Sequence, residues 1–347
     1  MLSAQIIRIL FLIVLSSVIA FILTPIFTNF MYKRKWGKQI SDDKKTLFFQ
    51  LHGHKEGTPT MGGVIIWVTV LIVTFGVALL SHFFDGFFSS LNFLSRAQTY
   101  LPLGALVGAA LVGLIDDILG VLRIGAHGGG IHMKYKMFIY GAVAAIGAWW
   151  FVQKLGWTMV HIPFLGDFNF GIWFVPFFVF ILVASAMSAN ETDGLDGLAS
   201  GVLLIAFSCF LIVCVIQGKY DLAAFLAVII GGLLTFLWYN INPARFFMGD
   251  TGAMSLGIVL GVVSILTNTV FLLPFFAFIL VLESTSVIIQ VFSRKVFKKR
   301  VFKIAPIHHH FEALGWPETK VTMRFWILAA VAAGLGMILF FLDNMTS

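Results

Sequence analysis

The 347-residue chain is 59% hydrophobic and only 11% charged, too little polar surface to cover a soluble domain of this length. Its net charge of +7 does not read as nucleic-acid binding, because the basic residues lie beside apolar runs and not along a polar face. The apolar runs last about 20 residues, the length at which a helix crosses the hydrocarbon core, and they lack the short alternation of barrel strands. These features predict an all-α polytopic membrane bundle, a single domain over residues 1–347.

In chain order, about ten transmembrane spans are expected: 6–30, 61–80, 100–119, 137–153, 170–189, 197–217, 220–239, 251–267, 270–292 and 322–342. The first run is too long for a secretory signal and lacks a small-residue cleavage site, so it reads as a retained span. Cys209 and Cys214 fall within one apolar run and read as core packing. Segments 31–60, 120–136, 240–250 and 293–324 hold 19 of the 23 Lys and Arg residues, leaving Arg8, Arg96, Lys154 and Lys219 for the other face. Positive residues collect on the cytoplasmic side, so both termini are expected to be periplasmic in a bacterial inner (plasma) membrane. Asp85, Asp167 and Asp221, in outer connections, read as solvated surface. No duplicated halves of the transporter kind are visible.

The remaining aspartates gather at inner helix ends. Asp116 and Asp117 follow the apolar stretch 103–115 with no polar buffer, where ionised acids and the negative end of a helix both call for a cation. Between spans five and six, Asn190, Asp193 and Asp196 recur at three-residue intervals, which in a helical turn would bring them to one face; they could merely cap the next helix, but one cap needs one such residue and here there are three. In Asn240-Ile-Asn242-Pro-Ala-Arg245-Phe-Phe247-Met-Gly249-Asp250-Thr251-Gly252, Asp250 falls at the start of span eight, where helix N–H groups favour anions such as phosphate. A carboxylate with a hard cation there could bind diphosphate. Three acidic clusters on one face, joined by basic segments, point to metal-assisted chemistry on a diphosphate. His308, His309 and His310 cannot easily all ligate one ion, and hydrogen bonding to phosphate or base suits them better. Glu283, the one mid-span acid, could be a proton site, though a helix–helix hydrogen bond is the commoner use of such a residue.

Taken together, Gly57-Thr-Pro-Thr-Met-Gly-Gly63, Asp116-Asp117, Thr192-Asp-Gly-Leu-Asp-Gly-Leu198, Phe247-Met-Gly-Asp-Thr-Gly252 and His308 to His310 resemble the phospho-N-acetylmuramoyl-pentapeptide transferases, one branch of the polyprenyl-phosphate sugar-1-phosphate transferases. The resemblance implies that UDP-N-acetylmuramoyl-pentapeptide donates its phosphosugar to undecaprenyl phosphate, yielding lipid I and UMP with Mg²⁺ in peptidoglycan synthesis, with a cytoplasmic active site and a homodimeric assembly. By the same resemblance Asp250 binds Mg²⁺, and Asp116 and Asp117 hold or deprotonate the lipid phosphate. Asn190, Asp193 and Asp196 line the nucleotide-sugar pocket, Phe247 stacks on uracil, and His308 and His309 lie near the phosphates. Lys55, Asn240 and His310 join the substrate-binding set, together with Lys134 or Lys136 as the basic group after Asp117. Met187 and Glu191 depart from the asparagine and leucine usual in the family.

Within the same chemistry, the alternative is a UDP-N-acetylglucosamine transferase, against which the histidine triplet and Pro-Thr-Met-Gly-Gly argue. A prenyltransferase would need a third aspartate after Asp116-Asp117. A secondary transporter would place its acids at mid-span.

Overall fold

Ten long helices carry the apolar runs. The computed structural model describes residues 2–34, 36–37, 53–95, 98–125 and 129–346, so part of the basic segment 31–60, Arg96 and the connection at 126–128 lie outside the described residues. The helices are α1 (Leu2–Arg34), α2 (Gly63–Phe83), α3 (Tyr100–Val121), α4 (Met133–Leu155), α5 (Phe174–Thr192), α6 (Leu198–Ile216), α7 (Tyr220–Asn240), α8 (Gly249–Leu266), α9 (Phe278–Val296) and α10 (Glu318–Thr346). Among the described residues, nine are long and apolar enough to cross a membrane, or ten if the bent pair Val270–Phe276 and Phe278–Val296 is one span. Strands β1 (Met159–Ile162) and β2 (Gly166–Asn169) form an antiparallel hairpin between α4 and α5, pairing Met159 with Asn169 and Ile162 with Gly166. With that small exception the all-α expectation holds.

The ninth span departs from a straight crossing of 270–292. A short helical piece, Val270–Phe276, is followed at Ala277 by α9, whose axis turns by 88°. Ala277 leaves the helical region (φ −115°, ψ 36°), which interrupts the backbone ladder. α9 is also two-sided in an unusual sense. Glu283, Ser286, Gln290 and Ser293 form its buried stripe, and Ile288, Phe292 and Val296 are exposed. The polar side faces protein and the apolar side faces lipid, a distribution that average hydropathy over the run conceals.

α8 is the axis of the bundle, buried over 89% of its span against 22% for α1. Its sequence explains this: Gly252, Ser255, Gly257, Gly261 and Ser264 give small faces that let neighbouring backbones approach. Gly257 lies against Ser185 and Ala186 of α5. On α3, a β-carbon added at Gly113 would fall 2.5 Å from the Asp250 carbonyl, so only glycine lets α3 meet the start of α8. Outward side chains such as Ile7, Val14 and Ile22 of α1 and Ile327, Val331 and Ile338 of α10 are exposed, as lipid-facing positions should be. Cys209 and Cys214 are free and buried in α6.

Asp85 and Asp167 are exposed, as expected of surface acids, but Asp167 and the half-buried Asp221 are also paired. Asp221 holds the buried Arg8 at 3.0 Å, an ion pair between α7 and α1. Asp167 of β2 accepts from the His161 ring at 2.8 Å, while the other ring nitrogen lies 2.7 Å from Asp343 of α10. The partners are distant in sequence, so local composition could not disclose them.

Candidate active site

The close approach of α3 and α8 brings Asp116, Asp117 and Asp250 together, with one oxygen of each within 4.8 Å of the others. Lys136 of α4 bridges the group, its ammonium 2.6 Å from Asp116 Oδ2 and 2.6 Å from Asp250 Oδ2. Asn190, on the last turn of α5, donates to Asp250 Oδ1 at 2.7 Å. The Ile131 N–H donates to Asp116 Oδ1 at 2.6 Å. Converging carboxylate oxygens are the donor set that a hard divalent cation selects, so these residues fit Mg²⁺.

Asp117 does more than join this group. Its carboxylate accepts from the N–H groups of Asp250 and Thr251, each at 3.0 Å, and Asp193 accepts from the Gly249 N–H at 3.2 Å. The first-turn N–H groups of α8, expected to attract phosphate, are thus taken by side-chain carboxylates of α3 and of the turn after α5. Gly249 has φ 71° and a β-carbon there would meet Asp117 Oδ2 at 2.5 Å, so no other residue would admit this cap.

Asn190, Asp193 and Asp196 do not share a face. α5 ends at Thr192, and Asp196 turns away toward Lys55, which it holds at 2.7 Å. Nor does any of the three cap α6, whose first turn has no side-chain cap. Asp196 Oδ2 accepts from Asn242 Nδ2 at 2.9 Å and from the Ala244 N–H at 3.0 Å. Lys55 is buried and also bonds to Glu318 at the start of α10, with its ammonium 5.7 Å from the centre of the Phe247 ring. The result is a second polar cluster with an aromatic face beside it, suited to the nucleotide end of a donor. Sequence reasoning missed Glu318, because an acid opening a helix reads as a partner of the helix dipole.

The two lysine candidates separate cleanly. Lys136 enters the carboxylate group, whereas Lys134, two residues earlier and on the opposite side of α4, is exposed. Asn240, expected to bind substrate, is buried and committed internally: it accepts from the Gly197 N–H and the Ser200 hydroxyl and donates to the Phe246 carbonyl. It braces two loops that carry site residues.

The three histidines point to three different partners. His308 is wholly buried, with Nδ1 3.0 Å from Glu283 of α9 and its ring filling the space left by Gly194. His309 pairs with Glu312 at 2.7 Å, and His310 Nδ1 accepts from the Lys303 N–H at 3.1 Å. Glu283 thus links elements, as a mid-span acid was expected to, but to a histidine of the short helix Ile307–Ala313. Glu191 accepts from Ser284 and so joins α5 to α9.

Comparison with known proteins places these residues in context. The family described as Glycosyl transferase family 4 matches residues 99–268, and the phospho-N-acetylmuramoyl-pentapeptide-transferase signature 1 matches residues 55–66. Among curated relatives, the phospho-N-acetylmuramoyl-pentapeptide-transferase of Geobacillus sp. (strain WCH70) is 37% identical over 94% of this chain and 95% of its own. Proteins of the same name from Chloroflexus aggregans and Thermoanaerobacter sp. (strain X514) are each 38% identical over 92% of this chain, covering 86% and 96% of theirs.

Proposed function

Because the chain belongs to the phospho-N-acetylmuramoyl-pentapeptide-transferase family, we propose that it moves phospho-N-acetylmuramoyl-pentapeptide from UDP to undecaprenyl phosphate, forming lipid I and UMP at the inner face of the bacterial plasma membrane. The observation that carries this reading is the meeting of Asp116, Asp117 and Asp250, with the Lys136 ammonium bridging Asp116 and Asp250. In the reaction the sugar-bearing phosphorus exchanges its bridging oxygen to UMP for an oxygen of the acceptor phosphate. Little covalent work is asked of the protein; it has to hold two anions together and neutralise their charge. Asp116, Asp117 and Asp250 would hold Mg²⁺, which supplies that neutralisation at the diphosphate. Lys136 adds a fixed positive charge, and Asn190 orients Asp250 through its amide. Lys55 and the Phe247 face receive the nucleotide, the ring by stacking on the base. The concentration of Lys and Arg in the segments beside these residues supports a cytoplasmic site.

The test is UMP release by the detergent-purified protein with the muramoyl-pentapeptide donor, undecaprenyl phosphate and Mg²⁺. Chelation should reduce turnover by at least about a hundredfold and re-addition of Mg²⁺ should restore it, as for loss of a charge-stabilising group. Faster turnover of UDP-N-acetylglucosamine than of the muramoyl donor would move the chain to the alternative branch, and turnover indifferent to chelation would remove the metal.

A further inference from the structure

Glu318 is the first residue of α10, shortly after the histidine triplet but far in sequence from the other motifs, yet it gathers the segments on which the nucleotide end of the site depends. Its Oε1 accepts from the Lys55 ammonium and from the Asp196 N–H at 2.6 Å, and its Oε2 lies 3.4 Å from Asn242 Nδ2. One carboxylate therefore ties the loop before α2, the turn between α5 and α6, and the loop after α7 that leads to Phe247. Two further residues on the same stripe of α10, at i+4 and i+8, grip the same turn by its backbone. Thr322 Oγ1 donates to the Asp196 carbonyl at 3.2 Å, and Trp326 Nε1 donates to the Gly197 carbonyl at 3.2 Å.

We infer that Glu318 is a positioning residue for donor recognition, which fixes the Lys55–Asp196 pair over the Phe247 face and takes no part in phosphoryl transfer. The inference rests on the nucleotide-end reading of Lys55 and Phe247 given above. Its physical basis is that a lysine ammonium on a flexible four-carbon stem is a poor recognition group unless its position is set, and two carboxylates set it here. The Asp196 N–H would otherwise be left without an acceptor in a largely buried place. No hydrogen bond or ion pair joins Glu318 to Asp116, Asp117 or Asp250 among the described residues, so its effect should reach binding of the donor and not the reacting phosphates.

Steady-state kinetics on the full-length purified enzyme decide this, with donor and acceptor varied separately for Glu318→Gln, Glu318→Asp, Lys55→Met and the Lys55→Met/Glu318→Gln double variant. Glu318→Gln should raise the donor KM at least about tenfold, the scale of one charge-assisted hydrogen bond, with kcat within about twofold and the acceptor KM unchanged. Glu318→Asp, which keeps the charge, should lie between the parent and Glu318→Gln. In the Lys55→Met background the Glu318→Gln change should add less than it does alone. The turn stays held by Thr322 and Trp326, so the variants are expected to fold, and melting temperatures of the purified proteins check this. A fall in kcat at constant donor KM, an unchanged or lower donor KM, or full additivity overturns the inference. If Lys55→Met itself leaves the donor KM unchanged, the nucleotide-end reading fails and this inference falls with it; if only Glu318→Gln is silent, this inference alone fails.

Discussion

Lys134 and Lys136 show how much two residues of helix decide. Both follow the Asp116-Asp117 pair, and composition cannot separate them, but about 200° of rotation puts one ammonium between two carboxylates and the other at the surface. Lys136→Met should lower UMP release by at least about a hundredfold and Lys134→Met by less than about twofold, measured with both substrates saturating. Equal effects would mean that the Lys136 bridge is not used in turnover. Aspartates were legible for a simpler reason. Carboxylates at the ends of apolar helices are costly without a cation or donors, so Asp116, Asp117 and Asp250 stand out from sequence alone. What could not be read is the division of labour among them. Asp117 caps α8 through two backbone N–H groups while Asp116 and Asp250 share Lys136, and that depends on which helices touch.

At the scale of elements, length and hydropathy sufficed for the straight spans and failed for the bent one. A run such as 270–292 averages the buried Glu283 and Ser286 with the exposed Ile288 and Ile289, so the window reports an ordinary crossing. The 88° break and the reversed polarity of α9 arise from neighbours that a window does not contain. The α3–α8 contact is equally invisible to hydropathy but is written in glycine. Gly113→Val would force the Asp250 backbone away from α3, where a β-carbon already has no room. The expected outcome is a lower melting temperature together with loss of UMP release, since the cap from Asp117 and the carboxylate group depend on the same approach. Full activity in a Gly113→Val protein of normal stability would show that α3 and α8 need not come this close.

On the scale of the whole molecule, His161 helps to fasten the hairpin to the end of α10. Burial lowers the His161 basicity, but hydrogen bonds to Asp167 and Asp343 and their negative charges more than offset it, so the net shift is upward. A ring whose folded-state value lies above its unfolded value of about 6.5 contributes its full stabilisation below that pH and loses it as pH rises through the folded-state value. The melting-temperature gap between the parent and His161→Gln should therefore be widest below about pH 6.5 and narrow on the alkaline side. A gap that does not vary with pH would mean that the ring's charge is irrelevant to the fastening. Asp343 also accepts from the Phe164 N–H at 2.7 Å, so part of the connection survives without the imidazole.

The position of that hairpin separates the covalent path of the chain from the integrity of its reaction centre. α4 begins beside the carboxylates and its 23 residues carry the chain about 34 Å away before the strands start; α5 then brings it back to Asn190. Everything N-terminal to the hairpin supplies Lys55, Asp116, Asp117 and Lys136, and everything after it supplies the rest. The tip, where Phe164 and Leu165 are exposed, is accordingly the place where a tag, a reporter or a nick leaves both contributing halves whole and seated in the same bilayer.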